Sequence, residues 1–228
     1  MFSGYKLPLE IQWIFALFSV IAGIILSIFL FQTFDLIFWI PLIPVVKALG
    51  HFSSTPILRL SGFLHYHSPM LITVKTGNKS YDLHNGTVMD YLFNFDLVKK
   101  STAAKRKIMI QYLKGFLDII NKIENNELPG EICLTGVSYF FSDKTARNLG
   151  FEVERARITM KLLNVINVVN LFIMYSLANG RPSIPSIFNL KKAKITGYTL
   201  LKSKYKIIGL LDKLEKRGTN CEIKRNES

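Results

Sequence analysis

The chain has 228 residues and carries 29 Lys and Arg against 16 Asp and Glu, a formal net charge of +13. That length accommodates a membrane anchor and one domain of ordinary size. Its two cysteines, Cys133 and Cys221, lie far apart with no CxxC pair, which excludes a paired-thiolate metal motif and leaves a reducing compartment acceptable.

From Trp13 to Val46 the sequence is almost continuously apolar, broken by the short Gln32–Asp35 stretch. A helix needs about 20 mostly apolar residues to cross a bilayer, and Trp13–Phe31 meets that length. Leu36–Val46 is shorter and carries Pro41 and Pro44. It spans only if the helix continues through Lys47–Gly50; otherwise it is a re-entrant or interfacial piece. Residues 1–50 are therefore expected to form a transmembrane helical hairpin. Lys6 precedes it, Lys47 and Arg59 follow it, and its turn has neither lysine nor arginine, so both ends are placed in the cytoplasm. A cleaved signal peptide fits less well, because the apolar core exceeds the usual 7–15 residues, roughly, of such a leader.

Residues 51–68 read as a membrane-exit connector, with Ser, Thr, Gly and Pro interrupting the apolar pattern. Residues 69–217 are expected to form a basic cytoplasmic domain of mixed α+β type, and 218–228 a disordered polar tail. Residues 1–70 hold three basic and two acidic side chains, so +12 of the net charge falls on residues 71–228. For a tethered domain such charge implies attraction to anionic headgroups of the inner leaflet, at about 1 kcal/mol per Lys or Arg. A membrane-protein partner is compatible with this placement; nucleic acid is not expected, since no motif for it is present.

Within the domain, Met70–Lys75 and Ser80–Leu83 flank Thr76-Gly77-Asn78-Lys79, a hairpin signal. Asn85–Phe95 continues as a short helix or buried strand. Asn85-Gly86-Thr87 fits a glycosylation sequon, which is idle in the cytoplasm. Residues 99–107 form a basic stretch ahead of a helix whose apolar face is Ile108, Tyr112, Phe116, Ile119, Ile120 and Ile123. Leu128-Pro129-Gly130 stops it. Glu131–Phe141 reads as a strand, Ser142 as an N-cap, Gly150 as a C-cap and Phe151–Glu154 as another strand.

Ile158–Leu177 is a third apolar run, with Lys161, Asn164, Asn167 and Asn170 every third residue. On a straight helix that polar row winds round the axis, which favours an interfacial helix or one packed on the hairpin over a third span. A short strand at Lys191–Ile195 and a closing helix at Tyr205–Leu214, with Ile207, Ile208, Leu211 and Leu214 inward, complete the chain.

The candidate metal ligands are His65, His67 and His84, with Asp82 and Asp90. His65 and His67 share one strand face, as do Asp82 and His84, so they converge only if the two strands are adjacent. An aromatic and histidine belt at the bilayer exit is the simpler reading, so no metal is expected. No GxSxG elbow or glycine-rich phosphate loop is present.

Residues 105–154 run amphipathic helix, Pro-Gly loop, strand, short helix and then Leu149-Gly150-Phe151-Glu152. This order resembles the second half of GNAT-type acyltransferases. The resemblance implies a splayed sheet with an acyl-CoA cleft, and a membrane-bound enzyme acting on an amine or lipid-linked substrate. In that family a glycine-containing loop before the long helix cradles the CoA pyrophosphate on backbone amides. Here Ser101–Lys107 occupies the place without a glycine, and the nearest tyrosine to the family's acid position is Tyr139. Lys105, Arg106 and Lys107 are the residues left to attract a phosphate or a lipid headgroup. The enzyme is the alternative reading; the main one is an integral membrane protein whose basic domain is held at the inner leaflet in a binding or accessory role, with no cofactor.

Overall fold

The structure is a computed structural model, described for residues 9–33, 43–94, 101–137, 142–186 and 190–226. The fold is mixed α/β around one sheet of six strands. The strands are β1 (His65–Ser68), β2 (Leu71–Lys75), β3 (Ser80–Asn85), β4 (Cys133–Val137), β5 (Glu152–Arg155) and β6 (Lys191–Thr196). Their spatial order is β1-β2-β3-β4-β6-β5, and every neighbouring pair is antiparallel except β3 with β4.

The hairpin expected at Thr76–Lys79 closes with Thr76 N–H and Gly77 N–H donating to the Ser80 carbonyl at 2.9 and 3.2 Å. The parallel β3/β4 pair needs a crossover, and two helices supply it: α3 (Val88–Asn94) and α4 (Ser101–Glu124). α4 begins at Ser101, so the basic stretch is the helix's own first turns, not a lead-in. Alanines 103 and 104 and the long basic side chains are good helix formers, which extends the helix backward. Its apolar stripe does what the spacing dictates: Ile108, Tyr112, Phe116, Ile119, Ile120 and Ile123 are all buried against the sheet. Gly115 lets the helix come close, since a Cβ there would lie 2.7 Å from Leu71 Cβ.

After β4, Ser142 caps α5 (Asp143–Asn148), its hydroxyl accepting from Thr145 N–H at 3.2 Å, and Gly150 follows the helix at φ +89°. α8 (Gly197–Lys202) and α9 (Lys204–Asn226) close the core, with Leu200, Ile207 and Leu211 buried. α9 continues to Asn226, so the segment read as a disordered tail extends the helix instead. Propagating a formed helix costs far less than starting one, which carries it through poor helix formers.

Outside the sheet lie α1 (Leu9–Thr33) and α2 (Ile43–Leu60), which pack on each other. Residues 34–42, the turn of the expected hairpin and most of its second apolar run, lie outside the described residues. α2 does continue through Lys47–Gly50, and it goes on to Leu60 across Pro56. The connector expected at 51–68 is therefore mostly helix, ending in β1. Pro56 removes one backbone donor, and Thr55 Oγ donates to the His51 carbonyl at 2.8 Å in the same turn. Arg59 then lays its guanidinium 5.1 Å from the centre of the Tyr66 ring, joining α2 to β1.

The third apolar run is two helices, α6 (Ile158–Ile166) and α7 (Val168–Asn179), bent by 78° at Asn167. Both pack on α2, and α7 also packs on α3 and α4. Among the described residues, no single helix is long and apolar enough to cross a membrane; this bent pair meets the test only jointly.

Candidate functional site

The candidate site lies at the carboxyl ends of the central parallel pair. Among the described residues its rungs run Ser80–Cys133, Tyr81–Leu134, Asp82–Thr135 and Leu83–Gly136, with β4 described to Val137. At the Leu83–Gly136 rung the strands are pressed together: a Cβ on Gly136 would lie 2.8 Å from Leu83 Cβ and 2.9 Å from its carbonyl oxygen. β3 continues through His84 and Asn85 and then turns into α3. A capping box makes that turn, with Asp90 Oδ2 accepting from Thr87 N–H at 2.6 Å and Thr87 Oγ–H at 2.8 Å, and Thr87 Oγ accepting from Asp90 N–H at 3.3 Å. Carboxyl ends of parallel strands are where open α/β sheets hold ligands.

A cavity opens there on each face of the sheet. The one under α4 and α5 is about 60 Å³ and is lined by Asn85, Tyr112, Phe116, Asp143, Phe151 and Lys191, among others. The one on the opposite face, under α2, α6 and α7, is about 530 Å³. Both are lined by Leu83, His84, Asn85, Gly136 and Val137, so they meet at the carboxyl end of this strand pair.

On the α4 side the chemistry is spare. Tyr112 Oη–H donates to Asn85 Oδ1, and burial pushes the phenol's pKa up, keeping it a neutral donor. Phe116 and Phe151 stack at a tilt with centroids 5.5 Å apart, and Lys191 pairs with Asp143 at the rim.

On the other face the register aligns Val74, Asp82 and Thr135 in one row, with Ile72 and His84 in the row beside it. Thr135 Oγ–H donates to Asp82 Oδ1 at 2.5 Å. Among the described residues, Oδ2 of Asp82 has no partner and no other acidic side chain lines the cleft. His84 is open to the cleft along one edge, yet loss of hydration lowers its pKa below the ordinary imidazole value, with Asp82 pulling the other way. At pH 7 it is a neutral imidazole, able to accept a proton. Lys47 and His51 of α2 also line the cleft.

The bend at Asn167 supplies the roof. On a straight helix Asn164, Asn167 and Asn170 would diverge; the 78° break brings all three to line the same cleft. Asn164 Nδ2 donates to the Met160 carbonyl at 2.7 Å and Asn170 Nδ2 to Asn167 Oδ1 at 2.9 Å. The three-residue spacing was visible in the sequence, but the break that gives it meaning was not.

The structure separates the candidate metal ligands. His84 lies opposite Ile72, whereas His65 lies opposite Thr73, so they belong to rows facing opposite sides. His67 is buried toward α4. Its Nδ1–H donates to Asp118 Oδ2 at 2.7 Å, which assigns Nε2 as acceptor from Thr73 Oγ–H at 2.9 Å. Asp90 is taken up by the capping box and by Tyr66 Oη–H, 3.0 Å away. Among the described residues, no three His, Cys, Asp or Glu side chains are grouped to hold a metal ion.

Lys105, Arg106 and Lys107 are consecutive on α4, so they fan out by about 100° each. Arg106 Nη1–H donates to the Arg217 carbonyl of α9 at 3.1 Å, and neither residue lines either cavity. They do not converge on one ligand. Asp82 and His84 do converge, though they entered as metal candidates; Thr135 carried no signal without the strand pairing. Tyr139 and the rest of residues 138–141 lie outside the described residues. Compared with known proteins, the chain matches no family model, no curated protein and no solved structure, and its site is read from its own geometry.

Proposed function

We propose that the chain is a membrane-associated, acyltransferase-like enzyme whose acyl donor and acceptor meet from opposite faces of the sheet. The observation that carries this is the pair of cavities sharing Leu83, His84, Asn85, Gly136 and Val137. A cleft for the acyl donor at the sheet is what the GNAT-type resemblance of residues 105–154 implies. On the α4 side, about 60 Å³ is room for several waters, enough for a thioester and a short acyl group but not for a whole CoA. The nucleotide end would lie outside it, over α4 and α5.

In the reaction the acceptor nitrogen or oxygen bonds to the thioester carbonyl carbon, and the carbon–sulfur bond breaks. The acceptor's proton passes to the neutral His84 and from it to the departing thiolate, so that CoA leaves as the thiol and His84 is neutral again.

The membrane reading rests on α1, α2 and α6. α1 exposes Ile14, Leu17, Phe18, Ile24, Ile25, Ile28 and Phe29, with Phe18 at 70%. α6 has no buried residue and exposes Ile158 at 75%. Exposed apolar surface on this scale marks a membrane or protein contact. Lys47 and Arg59 at the end of this apolar group favour the cytoplasmic leaflet.

The full-length chain in lipid nanodiscs tests the donor half of this reading: acetyl-CoA or a longer acyl-CoA is expected to raise its melting temperature. Absence of a shift with both, up to millimolar thioester, would contradict it. One observation favours the rival reading, a binding or accessory protein at the leaflet. Beyond the five shared residues the larger cavity is lined by α2, α6 and α7, and it can hold a ligand with no donor opposite.

A further inference from the structure

We infer that the larger cleft takes a single-chain amphiphile with an amine head, drawn from the bilayer. This rests on the transferase reading only for the head being a nucleophile. About 530 Å³ falls within the usual range of small-molecule sites, roughly 300–1,000 Å³. Its walls are apolar where a chain would lie: Phe63, Ile72, Val74, Leu163, Leu171 and Met174. Its polar groups gather at the sheet floor and at the bend. There Asp82 presents a carboxylate oxygen that has no partner among the described residues, its other oxygen held by Thr135, and His84 stands two residues along the same strand face. An aliphatic tail between α6–α7 and β2 thus places its head against Asp82, the one acidic side chain lining the cleft among the described residues.

The entry route follows from which elements form the roof. α2 and α6 line the cleft and belong to the group of helices that expose apolar surface outward. Leu163 does both: it lines the cleft and is 60% exposed. A water-soluble amine would need no such lipophilic rim. Lys47, also lining the cleft on α2, opposes a cationic head, which leaves Asp82 as the group that fixes where the ammonium sits.

The test uses the full-length chain in phosphatidylcholine nanodiscs, without any CoA thioester, and hexadecylamine bearing a mid-chain diazirine. After irradiation, cross-linked peptides are mapped by mass spectrometry. Label is expected on residues 158–179 and on β2, competed by hexadecylamine and not by butylamine. Leu163→Trp, which fills the cleft from its exposed wall and leaves the buried core untouched, is expected to cut labelling about tenfold. Asp82→Asn is expected to weaken competition by hexadecylamine by a similar factor, and competition by hexadecanol hardly at all. Label confined to α1, or undiminished in Leu163→Trp, would overturn the inference, as would equal competition by butylamine. Because no thioester is present, failure here is distinct from failure of acyl-CoAs to protect the chain from heat.

Discussion

The two faces of the one sheet are built to different standards. The face under α4 is a packed core, in which Ile108, Ile119, Ile120 and Leu134 are inaccessible to solvent or nearly so. The other face is left open, roofed by α2 and the bent α6–α7 pair over a cleft of about 530 Å³. The alternation of side chains along β3 distributes residues between them: Leu83 goes to the core side, while Asp82 and His84 go to the cleft. Stability is concentrated on one face so that the other can stay concave and polar at its floor.

Substitutions that contrast the faces sharpen that difference. Ile119→Ala, in the core, is expected to cost about 2–5 kcal/mol in denaturant unfolding. Leu162→Ala on α6, where the side chain is 59% exposed, is expected to stay within about 0.5 kcal/mol. Comparable losses at the two sites would break the comparison. Next in size, Thr73→Val leaves His67 Nε2 buried without its donor and is expected to cost about 1–3 kcal/mol. Thr135→Val, which frees Asp82 toward the open cleft, is expected to cost less than half of that.

The pH dependence follows from the core-side histidine. Burial lowers the pKa of His67, outweighing the hydrogen bond to Asp118, so the unfolded chain takes up a proton that the folded chain resists. Stability is therefore complete above about 6.5, the ordinary imidazole value, and falls as the pH drops below it. Asp118, held below the ordinary carboxylate value by His67 and Lys122 against the opposing effect of burial, adds a loss of the same sign at lower pH. His67→Gln is expected to flatten the upper part of this slope, measured as melting temperature between pH 7 and 5. An unchanged slope would show that other groups carry it. Smallest, Tyr112→Phe is expected to cost about 0.5–1.5 kcal/mol for the lost bond to Asn85.

What could be read from the sequence was whatever depends on local period. The α4 stripe, the β2–β3 hairpin, the Ser142 cap and the inward Ile207 and Leu211 of α9 all follow from spacing. The Thr87–Asp90 capping box had an equally local signature that the apolar run around it obscured. Pro56 read as a break because proline usually ends a helix, whereas α2 accommodates it near its last turn. What could not be read is long-range. Whether His65 and His84 share a face depends on β2 lying between their strands, and whether the asparagine row converges depends on a break at Asn167. Arg106 faces α9 only because the closing helix packs there. Asp82 and His84 were identified as chemically notable, but the cavity that they line is assembled from elements nearly 130 residues apart, Lys47 to Met174.

The central claim is that donor and acceptor meet at the carboxyl end of the β3/β4 pair. It is tested most directly by measuring CoA thiol released by the full-length chain in nanodiscs given acyl-CoA with and without hexadecylamine, and by identifying the product by mass spectrometry. The account predicts release that requires the amine, yields N-acyl hexadecylamine, and falls at least tenfold in His84→Ala. Saturable binding of the amine with no thiol release from acetyl-CoA or long-chain acyl-CoA would contradict it, leaving the cleft as a binding site alone.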